Sequence, residues 1–136
     1  MIFKYIAGNS IKSALNVAKN VQKQGKIPVF NYAVEHSKNS LKTFSEFEKL
    51  SNYLHKTDRI AIKLSSFNFD KILINDIIDI YKKKEIKVII DAESNVYNSQ
   101  YQKIIDELIF KHNQKECNVI KTYQMYRKDS IDTLRN

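Results

Sequence analysis

Glycine and proline are almost missing from this chain. Gly8, Gly25 and Pro28 are all that 136 residues contain of either. A phosphate cradle of the Rossmann or Walker type needs a glycine-rich loop that opens a helix. Two isolated glycines do not build one, so both cradles are excluded. Cysteine is equally scarce. Cys117 stands alone, which leaves no disulfide framework and no thiolate metal cluster. A reducing, cytoplasmic setting is the default expectation, and Cys117 reads as a buried structural thiol where a strand begins. His36, His55 and His112 show no ligand spacing among themselves and read as loop or helix-surface residues, so no metal is expected. Apolar runs reach only about five residues, against the roughly 18 that span a bilayer. The stretch from Met1 to Ser10 has no apolar h-region, so neither a signal peptide nor a membrane partner is expected.

Arginine is the third scarcity. The net charge is +8, yet arginine occurs only at Arg59, Arg127 and Arg135. Basic surfaces built for nucleic acid interleave arginine with aromatics, and no such patch is present. Lysine, asparagine and isoleucine dominate, and all three have AT-rich codons. The basicity therefore reads as coding bias on solvated faces, and nucleic-acid binding is not expected. Lys82, Lys83 and Lys84 end a helix, where cations favour the macrodipole. The 43% hydrophobic content is enough for one cored domain spanning residues 1–136.

What is present is alternation. Ile86 to Ile90 carries four apolar β-formers around Lys87 and ends abruptly in Asp91-Ala92-Glu93, which reads as a strand buried on both faces in a parallel sheet. Ligands of such sheets sit at the carboxyl ends of the strands. Asp91 and Glu93 stand there, either positioned for chemistry or capping the next helix. Before this run, Ser10 caps a helix to about Lys23, stopped by Gly25. Lys26 to Glu35 reads as the first strand. Thr43 and Glu46 form a capping box for a helix that turns Phe44, Phe47, Leu50 and Leu54 inward. Arg59 to Leu64 is the second strand. A helix from about Asp70 to Lys84 follows, with Leu73, Ile77, Ile80 and Tyr81 on one side. After the third strand comes a helix over about Ser99 to Asn113, with Tyr101, Ile104, Ile105, Leu108 and Ile109 inward. Asn118 to Gln124 is the fourth strand, and Arg127 to Leu134 opens a fifth helix. Strict alternation of strand and helix predicts an α/β fold: four successive βα units in a parallel sheet, preceded by one helix.

A polar residue closes each strand at a steady interval. Glu35, Lys63 and Asp91 are 28 residues apart, and Gln124 lies 33 beyond Asp91. Such residues converge on one end of a parallel sheet. Lys63 there suits an anionic group or a neighbouring carboxylate, and Gln124 offers a donor and an acceptor to a planar heterocycle. As plain strand-end caps they would carry no chemistry. Tyr97, Tyr101, Tyr123 and Tyr126 read mainly as packing groups.

These residues resemble the proline dehydrogenase family, flavoenzymes with a (βα)8 barrel. Tyr5 to Ser10 with the Ala14-to-Ala18 helix is similar to the family's opening helix. Asn31 to Glu35 is similar to its first strand, and Ile60-Ala61-Ile62-Lys63-Leu64-Ser65 to its "vsiKls" second strand. Val88 to Glu93 resembles the "mvDAE" segment, and Lys121 to Asp129 the "nTYQcYlkD" segment. The resemblance implies oxidation of L-proline to 1-pyrroline-5-carboxylate with FAD. It implies that Lys63 and Asp91 lie against the substrate, and that Asp91, Ala92 and Gln124 line the isoalloxazine. Glu35 would ion-pair with an arginine of the family's last helix, and Glu93 would support the strand ends.

A closed barrel of eight such units takes roughly 250 residues. The resemblance therefore implies an N-terminal half TIM-barrel, inactive alone and lacking the later arginines. Its open sheet edges predict a homodimer or a complementing half-barrel. The alternative is a non-catalytic relic or interaction module that self-associates or docks on a full-length enzyme.

Overall fold

The computed structural model describes residues 6–33, 37–93 and 99–135. Helix α1 (Ile11–Gln22) starts where Ser10 accepts a hydrogen bond from the Ser13 amide at 3.2 Å. It ends at Gly25, whose φ of +70° is the left-handed conformation that closes helices. Strand β1 (Val29–Asn31) follows, then α2 (Ser40–Ser51), β2 (Arg59–Ile62), a short 3-10 turn at Leu64–Phe67, α3 (Lys71–Lys83), β3 (Lys87–Ile90), α4 (Ser99–His112), β4 (Val119–Lys121) and α5 (Ser130–Arg135).

The four strands form one sheet in the order β1-β2-β3-β4, every pair parallel. Each strand pairs with its neighbour in sequence, with a helix between. This is half of a TIM-barrel-like sheet, preceded by α1. One register row runs through Phe30, Ile60, Val88 and Val119, and a second pairs Ile62 with Ile90. All six side chains are buried. They pack with Phe47, Leu50, Ile74, Ile77, Ile78, Tyr81, Ile104, Ile105 and Leu108 from α2, α3 and α4. The helices thus cover one face of the sheet. At about 25 cal/mol per Å2 of apolar surface removed from water, this layer is the main stabilising term.

Several local expectations change. The third strand alternates rather than being buried on both faces: Val88 and Ile90 are buried, while Lys87 and Ile89 are half-buried. Helices cover only one side of it. The first strand is confined to three residues. Lys26 belongs to the α1 closure, its amide bonding to the Val21 carbonyl at 3.3 Å, and Pro28 has no N–H to give. Glu35 lies outside the described residues. The cap of α2 is Asn39, whose side chain accepts from the Lys42 amide at 3.0 Å. Thr43 sits one turn inside the helix, donating to the Asn39 carbonyl and to Ser37 Oγ. Glu46 pairs with Lys49 at 3.0 Å instead of reaching back.

Two side chains reverse their expected environment. Cys117 is exposed, because it lies in the turn two residues before β4. His112 is buried between α4 and α3, with Nε2 at 2.8 Å from Asn75 Oδ1 and Nδ1 at 3.5 Å from Asp79. Among the described residues, no helix is long and apolar enough to cross a membrane.

Candidate functional site at the carboxyl ends of the strands

Lys63 is the residue at which β2 stops. Its backbone is still extended, at φ −105° and ψ 131°, so the alternation of the strand carries through it. Ile62 points into the helix layer and is fully buried. Lys63 therefore faces the open side of the sheet. The chain then coils into the 3-10 turn, burying all four of Leu64, Ser65, Ser66 and Phe67. Asn68 and Phe69, with φ of 51° and 58°, redirect it into α3.

The register places Asp91 beside Lys63. Ile62 and Ile90 are the last paired residues of β2 and β3, and the Asp91 amide extends the ladder by one bond to the Ile62 carbonyl at 2.9 Å. Asp91, like Lys63, follows a fully buried isoleucine and turns toward the open face.

Residues 91–93 have no regular structure, yet each of the three is anchored by a different element. The Tyr101 hydroxyl of α4 donates to the Asp91 carbonyl at 2.8 Å. The Gln124 amide group donates to the Ala92 carbonyl at 3.4 Å. The buried Glu93 carboxylate accepts from the Ser65 amide at 3.1 Å and from the Ser65 hydroxyl. Gln124 is itself fixed, since its carbonyl accepts from Ser130 Oγ at 2.7 Å and from the Arg127 amide at 3.0 Å. Lys63, Asp91, Ala92, Glu93 and Gln124 thus gather at one end of the sheet.

The arrangement leaves functional groups uncommitted. The Asp91 carboxylate has no hydrogen bond or ion pair among the described residues. Gln124 Oε1 is buried without a partner, as is Gln102 Oε1. The cavity that Gln102 and Gln124 line measures about 10 Å3, enough for one water and too small for a heterocycle. A planar cofactor would therefore have to lie outside that space, on the open face of the sheet beside Asp91 and Ala92. No cluster of three metal-ligating side chains occurs among the described residues.

Ser65 and Tyr101, which the sequence offers only as part of a strand segment and as a packing group, also anchor the site. Ser65 was visible in principle. It follows Lys63 by two residues as Glu93 follows Asp91, so the pair keeps the same interval of 28 residues. Tyr101 does pack, touching Phe69 edge-on at 6.5 Å, and its hydroxyl adds the bond to Asp91. Along the outer edge of the sheet, a groove of about 940 Å3 runs between α1 and β1, lined by Ile11, Ala14, Val17, Ile27 and Val29 among others. It marks the unpaired edge of β1.

Comparison with solved structures gives the same architecture. The chain superposes on proline utilization A (PutA) from Bdellovibrio bacteriovorus, solved after inactivation by N-propargylglycine. The TM-score is 0.82 over 98% of this chain, at 14% sequence identity. The chain spans 18% of the length of that protein. At so low an identity the match establishes the fold. No curated protein matches the sequence. A family model described as proline dehydrogenase matches residues 9–136, nearly the whole chain, and this chain belongs to the proline dehydrogenase family.

Proposed function

We propose that residues 1–136 form a single half-barrel domain that supplies one half of a flavin-dependent proline dehydrogenase site. In this reading the site oxidises L-proline to 1-pyrroline-5-carboxylate and turns over only when further strands close the barrel. The observation that carries the reading is the pairing of Lys63 and Asp91 at adjacent strand ends, on the open face of the sheet. The Lys63 ammonium offers a fixed positive charge to the substrate carboxylate. Asp91 offers a carboxylate to the cationic amine. Ala92 and Gln124 form the surface against which the isoalloxazine of FAD would lie. FAD supplies the acceptor for the hydride that leaves the proline ring. The protein contributes orientation and charge. A sheet open at β1 and β4 leaves that site accessible to water, and charge stabilisation weakens in water. Closure is thus part of the function.

A second reading follows from the edges. Ile27 and Val29 at the β1 edge are 58% and 53% exposed. Two copies joined edge to edge would supply eight strands and hide both edges of each. The chain would then be an interaction module, self-associating or docking on a full-length enzyme, with no chemistry of its own.

One experiment separates these readings: a visible absorbance spectrum recorded during size-exclusion chromatography with mass detection. A flavin spectrum in a peak that contains further strands, with turnover of proline and a dye acceptor, supports the first. A colourless dimer supports the second. A colourless and inert protein, even beside a complementing half-barrel, rules out the first.

A further inference from the structure

We propose that Ser65 and Glu93 are positioning residues that set the Lys63–Asp91 pair. The inference rests on the proline dehydrogenase reading for its kinetic test and on geometry for its basis. The backbone ladder between β2 and β3 ends at Asp91. Two residues further on, the segments that follow β2 and β3 are joined again, now through a side chain. Glu93 accepts from both the amide and the hydroxyl of Ser65. The interval of 28 residues between Ser65 and Glu93 equals that of the last strand pair, Ile62 and Ile90. The bridge is therefore a continuation of the register beyond the strands, and Lys63 and Asp91 lie between the last rung and this added one.

The surroundings make the bridge consequential. Ser65 is the second residue of the 3-10 turn, whose first amides have no partner within the turn. Glu93 satisfies one of them from the segment that follows β3. Both residues are buried, at 1% and 8% exposure, so removing the Ser65 hydroxyl costs the Glu93 carboxylate a donor in a place that water does not reach. Without the bridge, the peptide after Lys63 and the peptide after Asp91 lose the contact that holds them in register. A misplacement of about 1 Å at reacting groups costs up to about 100-fold in rate.

The test uses Ser65→Ala, Ser65→Thr, Glu93→Gln and the Ser65→Ala/Glu93→Gln double variant. In protein assembled with the strands that close the barrel, Ser65→Ala lowers kcat for proline by about 10- to 100-fold. KM changes little, because the lysine and the aspartate are both still there to bind. Ser65→Thr keeps the hydroxyl and recovers most of the rate. The double variant loses no more than the single ones, as expected of one device. Full kcat in Ser65→Ala, or a loss confined to KM, overturns the proposal. A second measurement stands apart from turnover. In amide NMR spectra of the chain alone, Ser65→Ala displaces the signals of both Lys63 and Asp91, and Ser65→Thr returns them. Unmoved signals overturn the proposal. If the assembled wild-type protein shows no turnover, the proline dehydrogenase reading fails and the amide spectra alone decide the bridge.

Discussion

The hydroxyl of Tyr81 donates to the main-chain carbonyl of Phe47 at 2.6 Å, fastening α3 to α2 inside the core. Both side chains are fully buried, and burial pushes the phenol's pKa well up. Tyr81→Phe removes the hydroxyl and keeps the ring. It leaves a buried carbonyl one partner short, which costs about 1–2 kcal/mol. Urea unfolding should show a lower midpoint with an unchanged slope. An unchanged midpoint would mean that the bond adds nothing.

Phe47 is the hub of that cluster. Its ring meets Tyr32 edge-on at 5.9 Å and stacks on Phe67 at 5.5 Å. Phe47→Ala opens a cavity between α2, β1 and the 3-10 turn and should cost about 3–5 kcal/mol. Thermal melting of the variant reads this directly. A loss below about 1 kcal/mol would mean that the neighbours collapse into the space.

His112 gives the fold a pH dependence. Burial holds its pKa below the ordinary 6.5, reinforced by Lys111 and Lys82 and opposed by Asp79. Asn75 is its neutral neighbour. The unfolded chain therefore takes up the proton first as the pH falls. Stability is fully present above about 6.5 and declines as the pH drops from there toward the folded-state pKa. Urea midpoints between pH 5 and 8 should show this slope. His112→Gln should flatten it, and an equal slope in the variant would assign the effect elsewhere.

At the strand ends, Lys63→Ala and Asp91→Asn should each lower proline turnover by about 100-fold or more in a protein whose barrel is closed. The fold should survive, as judged by circular dichroism and melting temperature. If both variants unfold instead, the two residues are structural partners of the strand ends and the catalytic assignment falls.

The sequence conveyed the repeating architecture because each βα unit carries its own signal. Ile60-Ala61-Ile62 and Val88-Ile89-Ile90 are short β-branched runs. The helices between them keep an apolar stripe at a period of 3.6 residues. Departures arise where tertiary contacts decide. Leu64 continued the strand pattern, but the chain coils into a 3-10 turn after Lys63 that buries Leu64, Ser65, Ser66 and Phe67. His112 lies on the same helical stripe as Tyr101, Ile104, Ile105 and Leu108. Its position pointed inward even though its residue type suggested the surface. At the site, residue types and spacing picked out Lys63, Asp91 and Gln124. The Tyr101 anchor depends on a hydrogen bond across elements that no local pattern encodes, whereas Ser65 and Glu93 keep the 28-residue interval of the strands.

The strand order has a consequence for how the chain is made. Every strand pairs with the one just before or after it in sequence. Contacts in the sheet therefore span one unit at a time, and the loop-closure entropy for each step stays small. A chain emerging from the ribosome can lay each new strand and helix against the unit already formed. Growth of this kind has a moving edge. The last strand added is always the one waiting for a neighbour, and a partner that offers a parallel strand at that moment completes the next step of assembly.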